Sequence, residues 1–359
     1  MNIVILGLSI TSSWGNGHAT TYRSLIKGLY SRGHIIHFLE RDVPWYASQR
    51  DGISFNYCKT SLYSSLPDLK LRFAQEVQQA DLVILGSYVP EGVEAGRWVL
   101  NLATGITAFY DIDTPVTLAK LESDDFEYIH PDIIPEFNFY FSFSGGHVLD
   151  IFMSKYGAQN AKPLYCSVDP DLYYPEVTVQ KWDLGYLGTY SNDRQPPLQK
   201  LLVAAAERWP EGRFAVAGPQ YPPSIAWPAN VERIEHLPPA EHRKFYNEQR
   251  FTLNITRKDM IRMGYSPSVR LFEAAACGVP VISDFWEGLD DFFGFGNEIL
   301  ISSSADDTLK YLNHISDEER RKIGHHARMK VLASHTGIRR AEELEMYVRE
   351  LNPKGLVSS

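Results

Sequence analysis

At 359 residues, 44% hydrophobic and 22% charged, the chain has an ordinary globular composition and the length of two domains, each able to build its own core. A net charge of −9 with no Lys/Arg-rich run argues against a nucleic-acid-binding surface. Cys58, Cys166 and Cys277 have no metal-ligand spacing and suit a reducing compartment. The start Met-Asn-Ile-Val-Ile-Leu-Gly lacks the basic region of a signal peptide, and no stretch approaches the length of a membrane span. The expected localisation is cytoplasmic.

Residues 2–8 are a continuous apolar run that reads as a buried parallel strand. The loop Trp14-Gly15-Asn16-Gly17-His18 follows, then helical periodicity over 20–31, a stop at Gly33, and a second strand over 34–40. This is a right-handed βαβ unit without the Gly-x-Gly-x-x-Gly spacing of a dinucleotide fold. Ligands of open α/β sheets bind outside the strands' C-terminal ends, which makes Gly15 and Gly17 candidates, with His18 beside them. Further strands are expected over 81–86 and 107–110. The latter runs into Asp111-Ile112-Asp113-Thr114-Pro115, where Thr114 and Pro115 read as N-cap and first turn of a helix. Two carboxylates at a sheet mouth are costly to place without partners, so Asp111 and Asp113 are candidate catalytic groups. The alternative for them is a capping and loop hydrogen-bond network. Strands over 138–143 and 162–165 close this half.

Residues 167–175 are Pro-rich and polar, and the strand–helix alternation restarts after them. Strands are expected over 182–188, 214–217, 231–236 and 251–255, with helices over 198–208 and 238–248. Arg194 and Arg257 lie in loops after strands. In residues 264–284, Ser266 reads as an N-cap with Pro267 at the first helical position. Gly278 is placed to end the helix, and 279–282 form a short strand. The helix start at Ser266, Ser268 and Val269, with Arg270, is an anion site suited to a diphosphate. Glu273, one turn deeper, is able to accept hydrogen bonds from the vicinal hydroxyls of a ribose. The competing reading is a capped core helix with an internal Arg270–Glu273 pair.

The string from Glu273 to Ile282 resembles the nucleotide-binding helix of GT-B glycosyltransferases, in which Glu-Ala-x-Ala-Cys-Gly-x-Pro-Val-Ile recurs. Arg270 two residues before Phe272-Glu273, and the Asp-x-Asp-Thr-Pro string, are similar to the spore-maturation (CgeB-like) branch, related to retaining family-1-type enzymes. Val168-Asp169 through Pro175 resembles the linker between GT-B domains. The resemblance implies an α/β fold of GT-B architecture, with two Rossmann-like parallel-sheet domains facing a cleft. The expected divisions are an acceptor-side domain over 1–168, a linker over 169–178, a nucleotide-sugar domain over 179–338, and a helix over 339–359 that crosses back to the first domain. The implied activity is transfer of a sugar from a nucleotide-diphosphate sugar to an acceptor hydroxyl, retaining and without a metal or other cofactor. The donor side would comprise Gly15, Gly17, Arg194, Arg257, Tyr265, Ser266, Ser268, Val269, Arg270 and Glu273, and the catalytic groups Asp111, Asp113 and His18. Tyr265 stands eight residues before Glu273, where many retaining members carry a second Glu. Two other readings stay open: a nucleotide-sugar 2-epimerase or hydrolase of the same architecture, and a non-catalytic nucleotide-sugar-binding module.

Overall fold

Thirteen strands rich in Ile, Val, Leu and aromatic residues form two wholly parallel sheets in a computed structural model that describes residues 1–13, 17–52 and 54–351. The first sheet holds β1 (Asn2–Gly7), β2 (Ile35–Arg41), β3 (Lys59–Tyr63), β4 (Leu82–Gly86), β5 (Ile106–Asp111), β6 (Phe139–Ser142) and β7 (Ala161–Pro163), in the order β3-β2-β1-β4-β5-β6-β7. The second holds β8 (Trp182–Leu187), β9 (Phe214–Ala217), β10 (Val231–Ile234), β11 (Gln249–Asn254), β12 (Val281–Ser283) and β13 (Ile299–Ile301), in the order β10-β9-β8-β11-β12-β13. The central strands are apolar on both faces because helices cover both, so β4 is buried at every residue. Each order reverses once, between β1 and β4 and between β8 and β11. At such a switch point the loops leave in opposite directions and open a crevice at the strands' C-terminal ends.

Two edge strands are absent from the sequence reading. β3 (Lys-Thr-Ser-Leu-Tyr) is mostly polar and only half-buried, and β13, although apolar, is three residues long, too short to stand out as a strand by its own pattern. The fold also corrects two helix starts. Asp113, not Thr114, is the N-cap of the helix Thr114–Glu122. Thr114 Oγ1 lies 2.7 Å from Ser142 Oγ and donates to the Asp111 carbonyl at 3.1 Å. Likewise Ser268, not Ser266, is the N-cap of the helix Val269–Ala276, while Ser266 is fully buried and its hydroxyl donates to the Gly264 carbonyl at 2.8 Å.

The chain divides into two units, Met1–Ser167 together with the chain from Gly337 onward, and Val168–Thr336. In the first, the helix Gly337–Leu351 packs on the helix His18–Ser31. Glycine permits this approach: a Cβ on Gly28 would lie 2.1 Å from the Gly337 carbonyl oxygen. Charge reinforces the packing. The buried Glu345 carboxylate accepts from Arg32 Nε at 2.6 Å and lies 2.8 Å from His34 Nε2. Among the described residues no helix is long and apolar enough to cross a membrane.

Candidate functional site

In the second unit the helix Val269–Ala276 starts beside the β8/β11 switch point. Its end is fixed locally: Gly278 adopts φ 71°, its N–H donates to the Ala275 carbonyl, and the Val279 N–H donates to the Ala274 carbonyl. This pairing of the last carbonyls needs a left-handed residue, which glycine supplies without strain. Its start is organised by a polar network rather than by a side-chain cap. Ser268 Oγ and Arg270 Nη1 both donate to Asn254 Oδ1, each at 2.9 Å. Arg270 Nε donates to the Leu187 carbonyl at 2.5 Å, and the guanidinium lies 5.1 Å from the centre of the Tyr186 ring. Arg270 therefore spans the two strand ends that form the switch point. It makes no pair with Glu273, so the internal-pair reading of this helix does not hold. Glu273 is instead buried, with Tyr246 Oη donating to its Oε2 at 3.0 Å.

Arg194 and Arg257 join this region from neighbouring loops. Arg194 donates to Ser191 Oγ at 2.8 Å and to the Thr189 carbonyl at 2.6 Å. The Lys258 N–H donates to Asp193 at 3.0 Å, which ties the loop after β8 to the loop after β11. Burial, aided by the like charges of Arg270 and Arg257 and opposed by Tyr186, lowers the pKa of Arg194. The guanidinium stays charged, so this crowding is a repulsion that a bound anion would relieve. Arg257 itself is exposed. Behind the arginines, Asp284 accepts from the Thr256 N–H and hydroxyl, both at 2.8 Å, and burial raises its pKa.

Tyr265 precedes the helix in a left-handed conformation, φ 46°, unusual for a residue with a side chain. It is locked there: its N–H donates to the Glu287 carbonyl at 2.7 Å, and its ring packs on Gly288, where a Cβ would lie 2.3 Å from a ring carbon. Val269 is the first helical residue and half-buried. Thus Arg194, Arg257, Ser268 and Arg270 gather around one switch point, with Val269 between Ser268 and Arg270 and Tyr265 in the turn that leads into the helix. Ser266 is turned into the protein, and Glu273 sits one turn deeper under Tyr246.

In the first unit the sequence candidates divide. His18 begins the helix after β1 and is buried, and its Nε2 lies 2.8 Å from Asp113 Oδ2. The Asp113 side chain is 35% exposed. Tyr88, held at φ 62° after β4, sets its ring edge-on to His18 with centroids 5.7 Å apart. Asp111 is fully buried: Tyr140 donates to it at 2.6 Å, Thr117 at 2.7 Å and the Asp113 N–H at 3.2 Å. Burial pushes its carboxyl up to about 6. The Asp-x-Asp pair is therefore not one site, since Asp111 is an internal anchor and Asp113 faces His18. Among the described residues no group of three His, Cys, Asp or Glu side chains could hold a metal ion. Gly17 is exposed, with negative φ and, among the described residues, nothing within 4 Å of where a Cβ would stand, so backbone geometry does not require glycine there. Gly15 lies outside the described residues.

The sequence reading missed Asn254, Asp284 and Glu40. Glu40, at the end of β2, is fully buried and accepts from the Ile10 and Thr11 N–H groups at 2.7 and 2.9 Å and from the Thr11 hydroxyl at 2.6 Å. In a dinucleotide fold an acid near this place takes a ribose; here it holds the loop after β1. The signal for all three was a polar residue closing an apolar strand.

Residues 194–346 match the family described as glycosyl transferase-like. None of the curated proteins matches the chain. Among solved structures, the chain resembles sucrose-phosphate synthase from Thermosynechococcus elongatus at 14% identity and TM-score 0.69, over 98% of this chain and 99% of that one. It resembles Anabaena HepE in complex with UDP and glucose at 11% identity and TM-score 0.70, over 98% and 100%. An alpha-glucosyltransferase in complex with UDP-glucose and DNA aligns at 12% identity and TM-score 0.71, over 97% and 99%. The fold is α/β with two parallel sheets of seven and six strands, the GT-B glycosyltransferase fold, and most of the second unit is glycosyltransferase-like in sequence.

Proposed function

We propose that this chain is a glycosyltransferase that moves a sugar from a nucleoside-diphosphate sugar to an acceptor hydroxyl. One observation carries the reading: Arg270, fixed by Leu187 and Asn254 across the β8/β11 switch point, with Arg194 crowded beside it. Positive charge held in place before the reaction stabilises the charge that grows on the departing diphosphate. The first-turn N–H groups of the helix Val269–Ala276 add to it. In the transfer, the bond from the sugar's anomeric carbon to the diphosphate oxygen breaks and a bond to the acceptor oxygen forms. The acceptor's proton leaves that oxygen. Asp113, the more exposed partner of His18, orients the acceptor hydroxyl and takes this proton, while Asp111 positions Asp113 through its N–H. Glu273, steered by Tyr246, binds the ribose.

UDP and UDP-glucose are the first to test, because two structurally similar proteins are described in complex with them. We further propose retention of configuration, independence from divalent metal and membership of the CgeB-like branch, on the Arg270-Leu271-Phe272-Glu273 and Asp-x-Asp-Thr-Pro strings. The test is a thermal-shift screen of nucleoside diphosphates and nucleotide sugars, followed by product analysis with and without acceptor sugars and with EDTA. A nucleotide sugar that raises the melting temperature and transfers its sugar in EDTA supports the proposal. Rapid epimerisation without acceptor would favour the epimerase reading, and stabilisation by no nucleotide would overturn donor binding altogether.

A further inference from the structure

Tyr186, near the end of β8, is fully buried, yet its hydroxyl has no hydrogen-bond partner among the described residues. An unpaired buried hydroxyl lowers stability, so its retention calls for a reason. Its surroundings supply one. The ring carries the Arg270 guanidinium at 5.1 Å, and Arg270 spends Nε on Leu187 and Nη1 on Asn254. Nη2 makes no hydrogen bond among the described residues. Both free donors approach the backbone at Gly188: a Cβ built there would lie 2.6 Å from Tyr186 Oη and 3.0 Å from Arg270 Nη2. Any side chain at 188 would occupy that space. The Gly188 backbone is itself held, its N–H donating to the Ala217 carbonyl at 2.9 Å and its carbonyl accepting from Tyr221 Oη at 3.1 Å.

We propose that Tyr186 Oη and Arg270 Nη2 together take one anionic oxygen of the donor's diphosphate beside Gly188. This rests on the donor-binding reading above and adds Tyr186 to it. A hydroxyl and a guanidinium are complementary to a phosphate oxygen, and shielding from water strengthens the hydrogen bonds they make. The ring also positions Arg270, because a cation over an aromatic face is held without using its N–H donors.

Inorganic pyrophosphate is the probe, since it needs no knowledge of the base or sugar. Calorimetry and thermal melting on the full chain compare the wild type with Tyr186→Phe and Arg270→Ala. The expected result is that Tyr186→Phe melts at the same or a higher temperature and binds pyrophosphate at least fivefold more weakly, while Arg270→Ala loses binding. Wild-type affinity in Tyr186→Phe alongside loss in Arg270→Ala overturns the Tyr186 assignment and leaves the donor reading standing. A melting temperature several degrees lower in Tyr186→Phe also overturns it, because the hydroxyl would then have a structural partner. No pyrophosphate binding by the wild type, or full binding by Arg270→Ala, removes both.

Discussion

His18 Nε2 stands 2.8 Å from Asp113 Oδ2, which joins the first turn of the helix after β1 to the loop after β5. The two residues are 95 apart in sequence, and both stand beyond C-terminal ends of strands in the first sheet. On the proposed function, this pair is expected to act on the chemical step, while donor binding rests on the arginines of the second unit.

Asp113→Asn is therefore expected to lower kcat or raise the acceptor KM by roughly 10²–10⁴-fold, the usual range for losing a general base. Donor affinity should stay within a factor of two. Equilibrium binding that shows donor affinity collapsing in this variant would contradict the assignment.

Asp111 gives a pH signature of its own. Burial pushes its carboxyl up to about 6, above the ordinary value of 3.8. Between these values the folded state holds more protons than the unfolded chain, so the group's contribution to stability falls as pH rises through that window. Melting temperatures measured from pH 4 to 7 should carry this slope in the wild type, and Asp111→Asn should flatten it. An unchanged slope in the variant would place the titration elsewhere.

Glu345 has the opposite sign. Its hydrogen bond from Arg32, aided by His34, holds its carboxyl down to about 2, below the ordinary 4.5. Its stabilising contribution is complete above 4.5 and is lost as pH falls toward 2. Glu345→Ala leaves the buried His34 and the Arg32 fork without their carboxylate, and should reduce stability by roughly 3 kcal/mol at neutral pH. Urea unfolding with the midpoint unmoved would refute this.

Glu273→Gln keeps an oxygen for Tyr246 Oη but removes the negative charge. The fold should survive, and binding of a nucleoside diphosphate should weaken by about 1.5–3 kcal/mol, the value of a hydrogen bond to a charged group. Calorimetry with unchanged affinity would leave Glu273 a packing residue beneath Tyr246.

Much of this molecule is written locally in the chain. The apolar run of β1, the helix end at Gly278 and the restart of strand–helix alternation after the Pro-rich stretch each depend on a few adjacent residues, so they are legible without a structure. So is the gathering of Arg270, Val269 and Tyr265, which lie within six positions of one another. The short edge strands β3 and β13 were not legible, because β3 is mostly polar and the three apolar residues of β13 are too few to mark a strand until pairing with a neighbour fixes them. Nor was the division of Asp111 from Asp113. Both are aspartates at a strand end, and only the arrival of Tyr140 from β6 and His18 from after β1 decides which is buried and which faces a partner. The N-cap moved from Ser266 to Ser268 for the same reason: Asn254, fourteen residues away, offers Ser268 and Arg270 an oxygen that the local sequence does not reveal. Propensity and periodicity act over a few residues and are encoded there; burial, pairing and charge crowding depend on groups brought together from distant positions, and those the tertiary structure alone decided.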